Sequence, residues 1–364
     1  MQARLHELLE LARLEAVPFE RAPAAWHGAW DSLSYQPAAY SRATLDYQRT
    51  YLRGTGRRID AFDLVLLHDG RPCGLWPLML SRADSMQGSL SSCGKAVYPP
   101  LLHLDLAPRA AKKLTSRAVA LAGAIAAELG APTVTLEQPP SPGSEAAVSE
   151  WHRQAMLAGA TATLHHDLYA DLRPPLQEIR STFRKSYRPL VNVALRQWSS
   201  FVMDETSADA SVWDEFQDLH RVAAGKRTRS EESWALQFDM ITKGVGFLVG
   251  LRDGAGGPLV GAGFFQCTRD EGLYAVGAYN RALFDKPLGH AVQQRAIETM
   301  KARGLRWYCI GERVYPQETP PPSAKEVSIS DFKEGFASLL AARFRFALPS
   351  RPLQPPDPAQ AEPA

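Results

Sequence analysis

Hydrophobic and polar residues recur along this chain with two different periods, and the changes of period predict its helices and strands. Over residues 1–17, leucines lie among charged residues in the pattern of one apolar helix face, which predicts an amphipathic helix. Two apolar runs, residues 62–68 and 73–80, flank Asp69-Gly70, a pair typical of a hairpin turn. The rest of the first half is predicted to form a helix over 108–129, a strand over 133–137, a helix over 144–158 and a strand over 162–171.

The second half repeats this order. A basic helical segment, residues 176–197, precedes a strand at 200–204. The following pattern predicts helices over 211–224 and 230–243, strands over 246–252, 259–268 and 272–279, a helix over 289–303 and a strand over 305–310. Three antiparallel strands, a helix and a final parallel strand describe a mixed sheet with helices on its faces. We therefore expect an α/β (α+β) fold with two related domains, residues 1–170 and 171–348, and a disordered Pro/Ala-rich tail over 349–364.

Composition and charge narrow the possible functions. The 364 residues are 45% hydrophobic and 22% charged, with a formal net charge of +2, so no overall basic surface for DNA is predicted. Four scattered cysteines without C-x-x-C spacing argue against a zinc site and a disulfide framework. The first helix is too charged for a signal peptide, and no apolar run reaches the roughly 18 residues of a membrane span. We expect a cytoplasmic protein without a metal or a membrane span.

The loop between the strand at 272–279 and the next helix is the first candidate site. Gly289 lets the backbone approach a ligand, and the unpaired amides of the first helical turn carry the positive end of the helix dipole. Such a turn binds phosphate groups. The candidate contacts are Lys286, Leu288, Gly289, His290 and Ala291. The alternative is a surface turn with a solvated lysine and an exposed histidine.

Three segments of the chain resemble known families. The spacing Lys286-x-x-Gly289-x-Ala291 resembles the Q/R-x-x-G-x-G/A motif with which GNAT-superfamily acyltransferases hold the diphosphate of acetyl-CoA, with lysine in place of the first residue. Two more segments resemble the basic helix and the terminal lysine element of Fem-type transferases, and they read Arg180-x-x-x-Arg184-Lys185-x-x-Arg188 and Phe332-Lys333-x-Gly335-Phe336. The resemblance covers most of residues 60–345. The chain resembles FemAB-like and BioF2-like acetyltransferases more closely than the Fem-type transferases that use aminoacyl-tRNA.

This resemblance implies two tandem GNAT-like domains with helices on both faces of mixed sheets. The second domain would then transfer an acyl group, most simply acetyl, from acyl-CoA to an amine of a sugar or a peptidoglycan-type precursor. The first domain would support it on the acceptor side. A Fem-type transfer from aminoacyl-tRNA is the alternative donor route, less favoured because the sequence has no long charged heptad arm. A non-catalytic GNAT-like binding module is the alternative of a different class.

Acyl transfer to an amine needs a group that takes the amine proton and dipoles that stabilise the oxyanion. Backbone amides of the strand at 272–279 are expected to supply the dipoles, and Lys333 a cation. Glu312 follows a buried strand, where ligands of open sheets gather, and is the expected base. Tyr279 and Tyr315 lie at the same edge, to orient the acceptor or donate a proton. The alternatives are a salt bridge for Glu312, packing for the tyrosines and a solvated Lys333.

Two basic clusters are expected to hold the acceptor. Arg184, Lys185 and Arg188 lie on the basic segment, and Arg227 and Arg229 lie in the turn after residue 224. Arginine binds phosphate and carboxylate groups in a bidentate manner, so these cations suit a nucleotide-linked or lipid-linked sugar. The alternative is ordinary solubility. No aromatic residues interleave with the cations, so the clusters do not predict RNA binding, and tRNA remains the disfavoured partner.

Overall fold

The computed structural model describes residues 2–83, 88–103, 105–140, 142–143 and 148–353. Its helices are α1 (Gln2–Leu11), α2 (Pro23–Asp31), α3 (Arg42–Gly54), α4 (Pro108–Glu128), α5 (Glu150–Leu157), α6 (Leu176–Thr182), α7 (Tyr187–Gln197), α8 (Ala210–Ala224), α9 (Glu231–Thr242), α10 (Leu288–Ala302) and α11 (Ala324–Glu334). Its strands are β1 (Ala16–Pro18), β2 (Arg58–Ala61), β3 (Leu64–His68), β4 (Arg71–Trp76), β5 (Met79–Arg82), β6 (Ser89–Ser91), β7 (Leu101–Leu102), β8 (Thr133–Gln138), β9 (Thr161–Asp171), β10 (Ser199–Met203), β11 (Gly246–Arg252), β12 (Leu259–Cys267), β13 (Glu271–Tyr279), β14 (Trp307–Arg313) and β15 (Leu339–Pro349).

The described chain divides into two compact units that are not continuous in sequence. The second unit comprises Tyr35–Gly54 and His165–Ala342, and the described residues outside these ranges form the first. Helix α3 belongs to the second unit because its Tyr47 packs with Trp213 and Trp234 in one core. The sequence-based division at residue 170 is simpler than this one, since hydrophobic periodicity does not reveal which core a helix joins.

In the first unit, antiparallel strands precede the long helix α4 and strand β8. The strands form two small sheets, ordered β1–β3–β4–β7 and β2–β5–β6, and β8 pairs with residues 344–349 of β15. The predicted hairpin is confirmed between β3 and β4. Asp69 and Gly70 have φ of 50° and 70°, the positive values that a type I′ turn requires at both central positions.

In the second unit, one mixed sheet lies between two helical layers. Its strands follow the order β10–β11–β12–β13–β14–β9. Strands β13 and β14 form the predicted parallel pair, and the other neighbouring strands in this order pair antiparallel. Helix α10 packs on one face through Ala291, Val292 and Ile297. On the other face, α8 and α9 contribute Trp213, Phe216 and Trp234 to a second core. The predicted fold class is therefore confirmed.

Some boundaries differ from the sequence-based ones. The single helix expected over 176–197 is broken between α6 and α7, and the amide of Arg184 in the break donates to the carbonyl of Gly335 at 2.8 Å. The side chain of Arg188 donates to the carbonyls of Ser181 and Phe183, which the end of α6 leaves unpaired. Of the helix predicted over 144–158, residues 144–147 lie outside the described residues, as do residues 354–364 of the expected tail.

Candidate functional site

The parallel strands β13 and β14 separate soon after they begin. Within the described residues they pair only where Glu271–Leu273 lies beside Trp307–Cys309, although β13 continues to Tyr279 and β14 to Arg313. This leaves a gap, here called the splay, at the carboxyl ends of the two strands, where open α/β sheets bind their ligands. Gly277 is exposed within the splay although its neighbours in β13 are buried.

A bulge in β13 determines which side chains face the splay. Phe264 pairs with Val276 and Phe265 pairs with Tyr274, so Ala275 is the extra residue. A bulge re-aims the side chains of its strand, and here it brings Tyr274 onto the same face as Gly277. The hydroxyl groups of Tyr274 and Tyr279 are 3.1 Å apart. A Cβ on Gly277 would overlap the Tyr274 hydroxyl oxygen, so glycine at this position leaves room for that hydroxyl.

Backbone amides of β13 point into the splay. The amide of Asn280 donates to the carbonyl of Val260 in β12 at 2.9 Å. Because amide direction alternates along a strand, the amides of Gly277 and Tyr279 point the other way, toward β14. This is the direction that the expected oxyanion site requires.

The ammonium group of Lys333 lies at the apex of the splay. Its Nζ is 5.6 Å from the centre of the Tyr274 ring and would be 2.6 Å from a Cβ on Gly311. Gly311 has φ of 125°, a conformation that side chains with a Cβ rarely adopt. The structure thus brings Lys333, which the sequence analysis selected by resemblance alone, to the two strand segments that part at this point.

Two arginines hold α11 in the position that places Lys333. Arg313 of β14 donates from Nε to Glu334 at 2.8 Å and from a terminal nitrogen to the Ser330 hydroxyl at 3.0 Å. Arg184 donates to both carboxylate oxygens of Asp331, at 2.9 and 3.0 Å. Hydrogen bonding in this pair lowers the pKa of Asp331 and raises that of Arg184. Arg184 therefore anchors a helix in this structure, where the sequence analysis expected it to bind the acceptor.

Glu312 faces away from Lys333. Successive residues of a strand point to opposite faces, and Gly311 directs its Cβ position toward Lys333. Glu312 therefore points to the other face, where its partner across the strands is Asp167 of β9. Glu271 lies buried on this second face and accepts a hydrogen bond from the Tyr35 hydroxyl. Burial is the main cause that raises the pKa of Glu271 to about 7. Neither Asp167 nor Glu271 was predicted from the sequence as a site residue.

The first turn of α10 is more occupied than the sequence analysis expected. The amides of Leu288 and His290 donate to the carbonyls of Lys286 and Pro287, at 2.9 and 3.1 Å. A Cβ on Gly289 would lie 2.8 Å from the ring of Phe332 in α11. The absence of a side chain at Gly289 therefore makes room for this ring.

The other residues predicted to contact a ligand at this turn are engaged within the protein. Lys286 pairs with Asp285 at 2.7 Å, and hydrogen bonding to this lysine lowers the pKa of Asp285. Leu288 and Ala291 are buried in the core.

His290 is a packed residue, not the exposed one of the alternative interpretation. Its ring centre is 4.4 Å from that of Tyr187 and 5.2 Å from that of Phe332. The Nε2 atom is buried without a hydrogen-bond partner among the described residues. Burial lowers the pKa of His290 to about 4, so the imidazole is neutral near pH 7.

The basic cluster on α6–α7 is mostly engaged in the fold itself. Arg184 and Arg188 make the contacts described above, and Lys185 is exposed. Of this cluster, the exposed ammonium group of Lys185 is accessible to a ligand.

The second basic cluster divides in the same way. Arg229 donates to the Tyr47 hydroxyl at 2.8 Å and lies over the Trp234 ring, 5.2 Å from its centre. Arg227 is exposed and pairs with Glu231 at 3.2 Å. The ring of Tyr315 is contacted by the Arg313 guanidinium and by His166, at 4.6 and 5.5 Å. Arg229 and Tyr315 thus have packing partners, and Arg227 is accessible.

Two further findings concern partners. No helix among the described residues combines the length and apolar character that crossing a membrane requires. The same residues contain no group of three or more His, Cys, Asp or Glu side chains that could hold a metal ion.

Comparison with known proteins gives likenesses of fold. No family model and no curated protein matches this sequence. The solved structure of FemX aligns with a TM-score of 0.62 and 12% identity, over 91% of this chain and 96% of FemX. L-PGS from Bacillus licheniformis aligns with a TM-score of 0.54 and 14% identity, over 92% and 93% of the two chains. A conserved protein of unknown function from Bacteroides thetaiotaomicron VPI-5482 gives 0.56 and 9%, over 92% and 99%. These likenesses agree with the fold that the sequence predicts.

Proposed function

We propose that this chain, which has the GNAT-superfamily fold in its FemAB-like form, is an acyltransferase that moves an acyl group directly from a donor to an amine. The observation that carries the proposal is the splay between β13 and β14. It combines an exposed backbone at Gly277, an inward-pointing amide and the ammonium of Lys333 at the apex. These are the dipoles and the charge that a tetrahedral acyl intermediate needs.

The two faces of the sheet suit the two halves of the reaction. The acyl carbonyl lies in the splay, with its oxygen toward the amide of Gly277. The acceptor nitrogen attacks the carbonyl carbon from the face of Glu312, and the Glu312 carboxylate takes the proton that the nitrogen loses. The bond from the carbonyl carbon to the donor then breaks, and the leaving group departs with the electron pair on the face of α10. Lys333 offsets the negative charge that develops between the strands.

Acyl-CoA, most simply acetyl-CoA, is the first candidate donor. Its diphosphate would be held at the first turn of α10 by Lys286 and by the amide of Gly289. The acceptor is an amine on a sugar or a peptidoglycan-type precursor. The exposed cations Lys185 and Arg227 are available to its phosphate groups.

An aminoacyl ester, as in aminoacyl-tRNA, is the second candidate donor, and a specific observation favours it. The Phe332 ring lies against Gly289, and Lys286 is paired with Asp285. Both contacts reduce the space and the free charge that a diphosphate would find at α10. A donor held by contacts elsewhere would not need this turn.

Titration calorimetry and a transfer assay test the proposal. The full chain is titrated with acetyl-CoA, and its Gly289→Asp variant serves as the matched control, because a carboxylate at the turn repels phosphate. In parallel, transfer to a panel of amino sugars is measured from acetyl-CoA and from alanyl-tRNA. We expect a Glu312→Gln enzyme to lose roughly 10²- to 10⁴-fold in kcat, the usual contribution of a general base. Transfer from neither donor would reject the acyltransferase and leave a binding module.

A further inference from the structure

We propose that Tyr274, which no motif identifies, is a catalytic residue whose hydroxyl donates a hydrogen bond to the oxyanion of the acyl intermediate, together with the amide of Gly277. This role rests on the proposed acyl transfer. It concerns one further group in the same splay, and its test can fail while the transfer itself is confirmed.

The bulge at Ala275 creates the arrangement. In a regular strand Tyr274 and Gly277 would point to opposite faces, because they are three residues apart. The extra residue puts both on the face of α10, and the missing side chain of Gly277 is the space that the Tyr274 hydroxyl fills. A phenol O–H thus lies beside the exposed backbone of Gly277, whose N–H points into the splay. Two such donors at one carbonyl oxygen form the usual oxyanion site.

The hydroxyl is fixed in place before any ligand arrives. The ring of Tyr274 stacks on that of Phe265, with centres 5.2 Å apart and an angle of 21°. Its oxygen is 3.1 Å from that of Tyr279. When Tyr279 donates in this pair, the proton of Tyr274 is left for a ligand. Such fixed donors need no reorganisation when charge develops on the substrate.

The charge state of the site suits an oxyanion. Burial raises the pKa of Tyr274 above its usual value of 10, so the phenol keeps its proton near pH 7. The Lys333 ammonium lies 5.6 Å from the centre of the same ring. A negative charge beside the Tyr274 oxygen is therefore stabilised by one hydrogen bond from the side chain, one from the backbone and a nearby cation.

The experiment compares two tyrosines that lose the same atom. Tyr274→Phe keeps the ring and its stacking and removes only the oxygen. Tyr308→Phe is the matched control, because the Tyr308 hydroxyl is buried in the same core and its proton is donated to Gln293 at 2.6 Å. Hydroxamate formation is followed with hydroxylamine as the amine probe, from acetyl-CoA and from alanyl-tRNA in separate arms.

With the donor that the wild type uses, we expect Tyr274→Phe to lower kcat by on the order of 100-fold, as the loss of one oxyanion donor does. The KM of Tyr274→Phe for that donor should stay the same, because the change does not affect ground-state binding. The kcat of Tyr308→Phe should stay within about twofold of the wild-type value. A purely structural role would not separate kcat from KM in this way. An active wild type with Tyr274→Phe within about threefold would overturn the role of Tyr274 and keep the proposed function. A wild type inactive with both donors would overturn both.

A second pair of variants keeps the test independent of any folding defect in Tyr274→Phe. Gly277→Ala inserts a methyl group where the Tyr274 hydroxyl lies, so it should cause a similar loss of kcat by displacing that hydroxyl. In the double variant Gly277→Ala/Tyr274→Phe, the methyl group no longer meets the hydroxyl oxygen. Its loss of kcat should therefore stay near that of either single variant. Losses that multiply would show that the two positions act separately and would refute a shared oxyanion site.

Discussion

Gly311 is the position where a single methyl group should test the placement of Lys333. In Gly311→Ala the new Cβ would lie 2.6 Å from Lys333 Nζ, well inside van der Waals contact. The backbone at φ of 125° is fixed by the bulge of β14 opposite β9, so the strand has little freedom to yield. The lysine side chain is flexible, and we expect its ammonium group to leave the apex of the splay.

The expected magnitudes separate function from stability. A residue with a Cβ in such a backbone conformation costs roughly 1–3 kcal/mol of unfolding free energy. Removal of a charge that stabilises the transition state costs about 10- to 100-fold in kcat in addition. Lys333→Met should give the same loss of kcat with an almost unchanged stability. The double variant should be no slower than either single one, because the same ammonium is lost once.

Gly304→Ala is the matched control. Gly304 follows α10 with φ of 81°, and a Cβ there would meet nothing within 4 Å. This change therefore brings backbone strain of the same kind, at a cost of about 1–2 kcal/mol, without touching Lys333. Stability is measured by urea unfolding and transfer by the hydroxamate assay. A Gly311→Ala enzyme that keeps the wild-type kcat, or one no slower than Gly304→Ala, would refute the placement of the ammonium in the active splay.

Two further predictions concern stability. Glu137→Gln should lower the unfolding free energy by about 3–5 kcal/mol, because it neutralises a buried carboxylate that Arg343 and Arg345 contact at 2.8 and 2.9 Å. Urea unfolding measures this loss, and Glu128→Gln, which breaks an exposed pair, should change little. The pKa of His290 is about 4 in the fold against 6.5 when unfolded, so its imidazole is neutral in both states above pH 6.5. As the pH falls from 6.5 toward 4, the unfolded chain binds a proton that folded His290 does not, so the unfolding free energy decreases. The variant His290→Phe should weaken this decrease. A pH dependence of the unfolding free energy that is unchanged in the variant would contradict the burial of the ring.

The sequence predicted those elements whose periodicity is regular and whose ends are local. The strands at 246–252 and 259–267 carry near-continuous apolar runs and turn residues at both ends, and their observed limits agree within one residue. The break between α6 and α7 was not predicted, because it depends on the carbonyl of Gly335, far along the chain. Local pattern contains no information about such a partner.

The site was predicted in part, for a similar reason. Lys333 and Arg184 were identified by resemblance, but only the structure reveals that Arg184 binds Asp331 and so supports the lysine. Tyr274 was missed because its role depends on a bulge, which shifts a side chain to the other face without changing the apolar pattern. Gly277 and Gly311 were a usable signal, since glycine inside a strand often marks a bulge or a close approach.

The separation of the two faces constrains how substrate specificity is distributed in the proposed enzyme. Lys333, Tyr274 and the first turn of α10 lie on one face of the sheet, and Glu312, Asp167 and Glu271 face the other. In the proposed reaction, the leaving group therefore departs on one face of the sheet and the acceptor enters on the other. The contact of Phe332 with Gly289 then bears on the identity of the donor alone, since it lies on the face of α10. In the proposed reaction, a change of donor requires changes around α10 and α11, and it leaves Glu312, the proposed base, untouched.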